Sequence, residues 1–185
     1  MDNDASSYRR FLEGDDSGLV ELIKDYKDGL ILYLCGFTDN VLTAEEIMEE
    51  TFVRLAVRKP KFSGRSSFKT WLYAIGRNAA VDRMRRSARH RHESIEDYSH
   101  LAAQEEEFEK AILIEERKII LHRAMKSLKP EHRQILYLVY FEDFSVSQAA
   151  EIMKKSKHAA ENLLSRARQS LKSKLEKEGF VYEEL

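Results

Sequence analysis

The sequence predicts an all-α protein built of two small helical domains joined by an acidic flexible linker. Only 7 Gly and 2 Pro interrupt the 185 residues, so few long loops are expected. Apolar residues recur at helical spacing through most of the chain. Charge falls in blocks: residues 1–53 carry a net −9, residues 54–92 a net +11, residues 93–116 a net −8 and residues 120–178 a net +5. Two basic blocks with an acidic one between them favour two polyanion-facing domains and a spacer.

The composition also limits the cellular setting. The single cysteine, Cys35, excludes an internal disulfide framework and is typical of a reducing cytosol. Cys35 lies in an apolar run that is too short to cross a bilayer, so we expect a buried packing thiol. The N-terminus, Met1-Asp-Asn-Asp, lacks the basic and apolar regions of a signal peptide. These features predict a cytoplasmic protein.

The first domain, residues 1–92, is predicted to be helical almost throughout. The predicted segments are a turn at Tyr8–Leu12, a helix from about Gly18, a separate helix over Gly29–Phe37, a helix over Ala44–Arg58 and a helix from Phe68 into an arginine cluster. Asp15-Asp16-Ser17 caps the first full helix. Thr43 and Glu46 have the spacing of a capping box at the start of the third. Lys59-Pro60 ends it.

Residues 62–91 combine a Gly/Ser loop, an aromatic stripe and a basic exit. Gly64 lets the backbone approach a ligand closely, aromatic rings such as Phe68 and Trp71 supply stacking surfaces or pocket walls, and arginines hold phosphates. This combination favours a surface for unpaired nucleic acid. The alternative is a basic amphipathic helix that only packs its apolar stripe.

Paired carboxylates mark the outer face of the Ala44–Arg58 helix. Such pairs serve acid–base chemistry or metal binding, but no histidine or nucleophile motif accompanies them. A solvated or protein-docking face is favoured instead. His90, His92 and His100 have no cysteine nearby, and two of them lie in an arginine run, which argues against a zinc site. We therefore expect neither an enzyme nor a cofactor.

Residues 93–110 lose helical periodicity and turn acidic, which predicts the linker. The second domain covers residues 111–178, followed by a tail at residues 179–185. Its first helix carries apolar residues between Ile112 and Leu128, and the next begins at Lys129-Pro130. Ser145 is predicted to cap a short helix, Val146–Met153. A tight turn and a long basic helix, Lys157–Lys177, follow. This order is typical of a DNA-binding helix-turn-helix, although an ordinary helical hairpin has the same pattern.

Together these segments resemble the sigma-70 family of bacterial RNA polymerase initiation factors, in its extracytoplasmic-function (ECF) group. The resemblance extends from about Leu19 to Leu175. Residues 44–55, AEEIMEETFVRL, are similar to region 2.2 of the family. Residues 68–83 match the regions 2.3 and 2.4 pattern F-x-x-W-L-x-x-I-x-x-N-x-x-x-D-x-x-R in its Phe, Trp, Asn and Asp positions. Residues 128–171 are similar to region 4. The lack of regions 1.1 and 3 is typical of the ECF group.

The resemblance implies a factor that binds bacterial core RNA polymerase at the β′ clamp and β flap and directs initiation from −35 and −10 promoter elements. The implied polymerase contacts are Glu45, Glu46, Glu49, Glu50, Phe52 and Arg54. The implied −10 contacts are Phe62, Ser63, Gly64, Arg65, Ser66, Ser67, Trp71, Arg77, Asn78, Arg83, Arg85 and Arg86. The implied −35 contacts are Arg133, Lys157, His158, Glu161, Asn162, Ser165, Arg166 and Arg168. A stand-alone helix-turn-helix regulator is the alternative.

Within the implied −10 pocket, Asn78 would bind a flipped base, because its amide offers both a donor and acceptors. Trp71 is expected to support the loop from below. Two departures from the family pattern matter: Glu49 stands where Gln is usual, and His158-Ala-Ala-Glu-Asn162 replaces the common start of the recognition helix. The −35 sequence of relatives therefore cannot be transferred. An anti-sigma factor is a further partner in this family, and no residue in the sequence identifies one.

Overall fold

The computed structural model describes residues 3–38, 40–91, 120–121 and 123–177. All of the regular elements in these ranges are helices. They are α1 (Asn3–Leu12), α2 (Ser17–Leu34), α3 (Val41–Arg58), α4 (Phe68–Arg91), α5 (Pro130–Tyr140), α6 (Val146–Met153) and α7 (Lys157–Lys177). The all-α fold class is confirmed. The predicted linker and tail, and most of the predicted helix between Ile112 and Leu128, lie outside the described residues.

Helices α1 to α4 form the first domain around one apolar core. Leu22, Leu30, Ile47, Leu55 and Leu72, contributed by α2, α3 and α4, are each at most 1% exposed. Helix α2 runs without interruption, so the predicted break before Gly29 was wrong. A glycine inside a helix costs about 1 kcal/mol relative to alanine, which tertiary packing readily offsets.

One cap prediction in this domain was wrong, and another is confirmed at one of its residues, Asp15. Helix α3 begins at Val41 rather than Ala44, because the side chain of Asn40 accepts a hydrogen bond from the Leu42 amide at 2.9 Å. At the start of α2, the Ser17 amide donates to Asp15 at 3.0 Å, and Asp16 provides no side-chain cap. The predicted stop at Lys59 is confirmed, since Lys59 adopts a left-handed conformation at φ 41°.

The second domain follows its sequence prediction closely. Pro130 opens α5, and Ser145 closes a capping box with Gln148 at the start of α6. The bounds of α6 and α7 are those predicted. Ala149 and Ile152 of α6 lie in the same buried cluster as Ala160 of α7, all at 0% exposure. Burial of these residues holds α7, the predicted recognition helix, against α6.

Replacing Ser145 by alanine should destabilise the second domain by about 1 kcal/mol, the usual effect of losing an N-cap. The Ser145 hydroxyl accepts from the Gln148 amide at 3.3 Å, and the Gln148 side chain accepts from the Ser145 amide at 2.9 Å. Urea unfolding followed by circular dichroism measures the effect. Ser147→Ala, at an exposed position on the same helix, is the matched control. Equal effects of the two substitutions would contradict the capping assignment.

The two domains also pack against each other. Helix α4 contacts α6, and α2 contacts α5. Tyr73 of α4 and Phe144, which lies just before α6, are both buried, with ring centroids 5.1 Å apart. The apolar core therefore continues from one domain into the other.

Candidate nucleic-acid interface

An aromatic cluster holds the loop between α3 and α4. The Tyr8 hydroxyl donates to the Pro60 carbonyl at 2.7 Å, and burial raises the pKa of Tyr8 to about 12, so this donor stays protonated at neutral pH. The Phe62 ring lies 5.2 Å from Trp71 and 5.7 Å from Phe68, measured between centroids. Both ends of the loop are thereby fixed to the core of the first domain.

The middle of the loop is left open to solvent. Ser63, Gly64 and Arg65 are exposed, and Gly64 adopts φ 70°, a left-handed conformation that glycine reaches without strain. The Ser67 hydroxyl accepts from the Thr70 amide at 3.2 Å and so caps the start of α4. A rigid base with an exposed Gly/Ser tip is suited to receiving an extended ligand.

Trp71 lies under this loop, as predicted. Its ring packs 5.4 Å from Tyr8 as well as 5.2 Å from Phe62. Asn78 follows Trp71 by seven residues and Arg85 follows by fourteen, so the three share one face of α4 at intervals of about 10 Å along its axis. The structure therefore aligns the loop support, the candidate base-binding amide and one basic side chain.

Several of the predicted arginines are held in ion pairs. Arg83 pairs with Glu46, and Arg86 lies 3.8 Å from Glu50, which also accepts from Arg54 at 2.6 Å. These contacts brace the acidic face of α3 against the basic face of α4. Five residues from the predicted polymerase and −10 sets thus contact each other in the free protein.

Arg77 lies apart from this basic face. The Nε atom of Arg77 is buried, and while burial raises the pKa of Tyr33, the positive charge of Arg77 acts to lower it. The Arg77 side chain therefore lies on the side of α4 that carries Tyr73, one turn earlier. Its prediction as a phosphate contact is untested, and this conformation does not bring it to the arginine cluster.

The apolar residues exposed on the predicted polymerase face of α3 are not the one that the family resemblance implied. Phe52 is 5% exposed and packs inside the domain, so its side chain does not lie on the surface in this conformation. Val53 and Val57 are 57% and 76% exposed on the outer side of the same helix. Sequence reasoning missed these two valines. The available signal was two apolar residues at i, i+4 spacing beside an acidic stripe.

The recognition helix presents its predicted contacts to solvent. The exposed members are Lys157, His158, Glu161, Asn162, Ser165, Arg166 and Arg168. Burial, with the charges of Lys129 and Arg166, lowers the pKa of His132, so this ring beside the helix is neutral at pH 7. Arg133 differs: its guanidinium donates to the carbonyl of Gly36 in the first domain at 3.4 Å and to that of Lys126 at 3.2 Å.

Other kinds of site find no support in the described ranges. No group of three or more His, Cys, Asp or Glu side chains there is placed to hold a metal ion. None of the described helices is long and apolar enough to cross a membrane. The described residues expose an acidic helix face with two valines, a Gly/Ser loop beside arginines, and a basic recognition helix.

Comparisons with known proteins agree with this geometry. Residues 22–90 match the family described as Sigma-70 region 2, and residues 118–171 match Sigma-70, region 4. The chain is 25% identical to the ECF RNA polymerase sigma factor SigW of Bacillus subtilis over 88% of this chain and 91% of that protein. It is 28% identical to RNA polymerase sigma factor YlaC of the same organism, over 86% of this chain and 92% of that protein.

A solved structure has the same fold. It is the sigma factor RpoE in complex with the anti-sigma factor NepR from Bartonella quintana, with a TM-score of 0.65 and 22% sequence identity. The similarity covers 84% of this chain and 95% of that one. It extends over both helical domains of the present chain.

Proposed function

Because the chain belongs to the sigma-70 family, in its extracytoplasmic-function group, we propose a division of its residues among polymerase docking, −10 melting and −35 recognition. It is an ECF-type sigma factor: it binds core RNA polymerase and directs promoter-specific initiation. Residues 1–92 are assigned to polymerase binding and the −10 element, residues 93–110 to the linker, and residues 111–178 to the −35 element. The observation that carries this assignment is the rigid loop over Trp71, in line with Asn78 and Arg85.

The docking surface for the β′ clamp is the outer side of α3. Glu49, Val53 and Val57 are exposed there, which supplies the mixture of apolar and charged groups typical of protein interfaces. Phe52 contributes by supporting this helix from the core. On the second domain, Tyr140 and Phe141 are each 52% exposed and offer an apolar surface to the β flap.

The −10 site traps a base from the melted strand. The Ser63–Ser67 loop approaches the backbone, Asn78 hydrogen-bonds the base edge, and Arg85 holds phosphate. Trapping a base stabilises the melted strand against the few kcal/mol that unstacking costs. To bind phosphate, Arg83 and Arg86 would first have to release Glu46 and Glu50. DNA binding therefore competes with the ion pairs that join α3 to α4.

The −35 site is the exposed face of α7 in the major groove. Glu161 and Asn162 lie near its N-terminal end, where side chains contact base edges. Asn162 suits adenine and Glu161 suits cytosine, whose exocyclic amine is a donor. Arg166 and Arg168 lie further along, where they serve phosphates. No bond is made or broken by the protein itself.

The factor acts without catalytic chemistry of its own, in the bacterial cytoplasm where core polymerase transcribes. An anti-sigma factor is a further proposed partner, because the structurally similar RpoE is described in complex with one. Core binding also separates this function from that of a stand-alone regulator. A stand-alone regulator would bind its duplex tightly without polymerase, whereas this protein should co-elute with core enzyme and bind duplex DNA weakly alone.

Reversing Glu49 to lysine should weaken binding to core polymerase roughly tenfold, about 1.4 kcal/mol, because the substitution places a cation on the acidic face. Glu49 is exposed, so the fold should be unaffected. Fluorescence titration of labelled protein with core enzyme measures the affinity. Glu13→Lys, at an exposed position in the same domain, is the control. An unchanged affinity for Glu49→Lys would remove this face of α3 from the docking surface.

A further inference from the structure

One aromatic side chain of α1 contacts the α3–α4 loop at both of its ends. Where the loop begins, the Tyr8 hydroxyl donates to the Pro60 carbonyl at 2.7 Å. Where the loop ends, the Tyr8 ring lies 5.4 Å from the rings of both Phe68 and Trp71, measured between centroids. Tyr8 is 1% exposed, so neighbouring groups enclose it. A single side chain therefore joins the two ends of the segment that carries the exposed Gly/Ser tip.

A second residue of α1 adds to this contact at the start of the loop. Phe11 follows Tyr8 by three positions, so the two rings share one face of the helix, with centroids 6.2 Å apart. The Lys59 ammonium lies 4.9 Å from the centre of the Phe11 ring, which is a cation–π distance. Lys59 ends α3 in a left-handed conformation, and Pro60 follows it. One face of α1 thus contacts two consecutive residues where the chain leaves α3.

Helix α1 is itself fixed at the start of α2. A Cβ atom at Gly18 would overlap the Ser7 carbonyl oxygen, so no side chain fits between the two helices there. The Ser7 hydroxyl donates to the Glu21 carboxylate at 2.9 Å, and Arg10 pairs with the same carboxylate. Helix α1 therefore presents its aromatic face to the loop from a position that its packing on α2 determines.

This helix lies before the part of the chain that matches Sigma-70 region 2, which begins at residue 22. None of the contacts that the family resemblance implied lies in α1. The structure nevertheless gives α1 the contacts that hold the loop ends, while Ser63, Gly64 and Arg65 stay exposed. A loop whose ends are fixed loses less conformational freedom on binding than a loop that must first be ordered.

We propose that α1 belongs to the −10 site and that Tyr8 is its positioning residue, which holds both ends of the loop so that the exposed tip receives the melted strand. Tyr8 is buried, so it acts through the loop rather than on DNA. Its effect on melting rests on the proposed function, because the loop must be the −10 site for its position to matter. Its hold on the loop is a property of the free chain.

Removal of one hydroxyl tests this hold. Tyr8→Phe keeps the ring and deletes the hydrogen bond to Pro60. Lys61 and Arg65 are exposed in the loop, so trypsin reports loop opening in the free full-length chain. When opening is fast relative to cleavage, the cleavage rate follows the population of the open loop. Cleavage after Arg65, measured by mass spectrometry, should accelerate about two- to twelvefold, which corresponds to the 0.5–1.5 kcal/mol of one hydrogen bond. Cleavage after Arg168 in the second domain should be unchanged.

Tyr26→Phe is the matched control. The Tyr26 ring also contacts Phe68, at 6.3 Å between centroids, and its hydroxyl donates to Asp4 of α1. The two substitutions thus remove the same group from the same aromatic cluster, one from the contact with the loop and the other from the contact between α1 and α2. Tyr26→Phe should leave the rate of cleavage after Arg65 at the wild-type value.

A steric variant tests α1 independently of the Tyr8 hydroxyl. Gly18→Ala places a methyl group where the Ser7 carbonyl lies, so it displaces α1 without changing any residue of the loop or of the aromatic cluster. It should also accelerate cleavage after Arg65, while circular dichroism shows that the helices are retained. Lys24→Ala, at an exposed position on the same helix, is its control and should match wild type.

Reconstituted holoenzyme then connects the loop to melting. The permanganate reactivity of unpaired thymines should fall about two- to twelvefold in Tyr8→Phe, in proportion to the population of the ordered loop. It should stay normal in Tyr26→Phe, and the affinity for core polymerase should be unchanged in both variants. A residue that only stabilised the domain would lower melting equally in the two.

An unchanged rate of cleavage after Arg65 in either Tyr8→Phe or Gly18→Ala would overturn the proposal. So would equal acceleration in Tyr8→Phe and Tyr26→Phe. Faster cleavage with normal melting would remove Tyr8 from the −10 site. The trypsin measurement uses neither polymerase nor DNA. A wild-type holoenzyme that melted no promoter would therefore count against the proposed function and leave the hold of Tyr8 on the loop standing.

Discussion

Open-complex formation by the Asn78→Ala variant should fall roughly 5- to 150-fold, the range that corresponds to the 1–3 kcal/mol of a well-placed base contact. Alanine removes the amide that is proposed to hold a flipped base and leaves α4 intact. Asn78 lies on the face of α4 that carries Trp71 and Arg85, clear of the outer face of α3. Affinity for core polymerase should therefore be unchanged.

Permanganate reactivity of unpaired thymines, measured with reconstituted holoenzyme, reports the melted strand. Ser87→Ala is the matched control, because Ser87 is exposed on the same helix and is not among the predicted contacts. Equal losses of core affinity and melting in Asn78→Ala would show that the residue acts on polymerase docking instead. Normal melting would remove Asn78 from the pocket.

The Phe68→Ala substitution should destabilise the first domain by about 3–5 kcal/mol, the usual range for truncating a buried phenylalanine. Phe68 is fully buried, with ring contacts to Tyr8 at 5.4 Å, Phe62 at 5.7 Å and Trp71 at 5.5 Å. Because the same cluster anchors the α3–α4 loop, the variant should also lose −10 melting at temperatures where it remains folded.

Urea unfolding monitored by tryptophan fluorescence measures this loss, since Trp71 is the single tryptophan and lies in the cluster. Phe141→Ala serves as the control with the same chemical change, because Phe141 is 52% exposed in the second domain. It should cost much less than Phe68→Ala. A Phe68→Ala effect below about 1 kcal/mol would contradict the view that the loop depends on this aromatic core.

Local signals in the sequence predicted the second domain well. Pro130 can open a helix but not continue one, and Ser145 with Gln148 forms a capping box within three residues. Such signals act through neighbours in the chain, so they remain valid in any tertiary context. The start of α6 at Val146 followed from Ser145 directly. The family resemblance implied that Trp71 supports the loop from below, and its ring lies 5.2 Å from that of Phe62 in the loop.

Predictions that depended on tertiary packing were less successful. The pattern around Gly29 indicated a break in α2, whereas the glycine is present because Glu142 and Tyr73 approach its backbone. The family resemblance implied Phe52 as a polymerase contact, and its side chain is 5% exposed within the core of the first domain. The contacts at Gly29 come from residues more than forty positions away, which helical periodicity does not encode.

In the candidate site, too, local patterns predicted the features within one helix but not the contacts between helices. Exposure of the recognition-helix residues followed from the amphipathic pattern of α7. The ion pairs of Arg83 with Glu46 and Arg86 with Glu50 did not, because each joins two helices. Docking of the two domains through Lys69 and Glu142 spans more than seventy residues and the whole linker, and it was not predicted.

The most direct test of the central claim is multi-round transcription by purified bacterial core polymerase on sheared genomic DNA, with and without this protein, followed by mapping of the 5′ ends. An ECF sigma factor predicts new start sites that share two spaced upstream elements, and binding of the protein to core. Absence of factor-dependent starts, with no co-elution of the protein and core enzyme, would contradict the assignment and favour the stand-alone regulator.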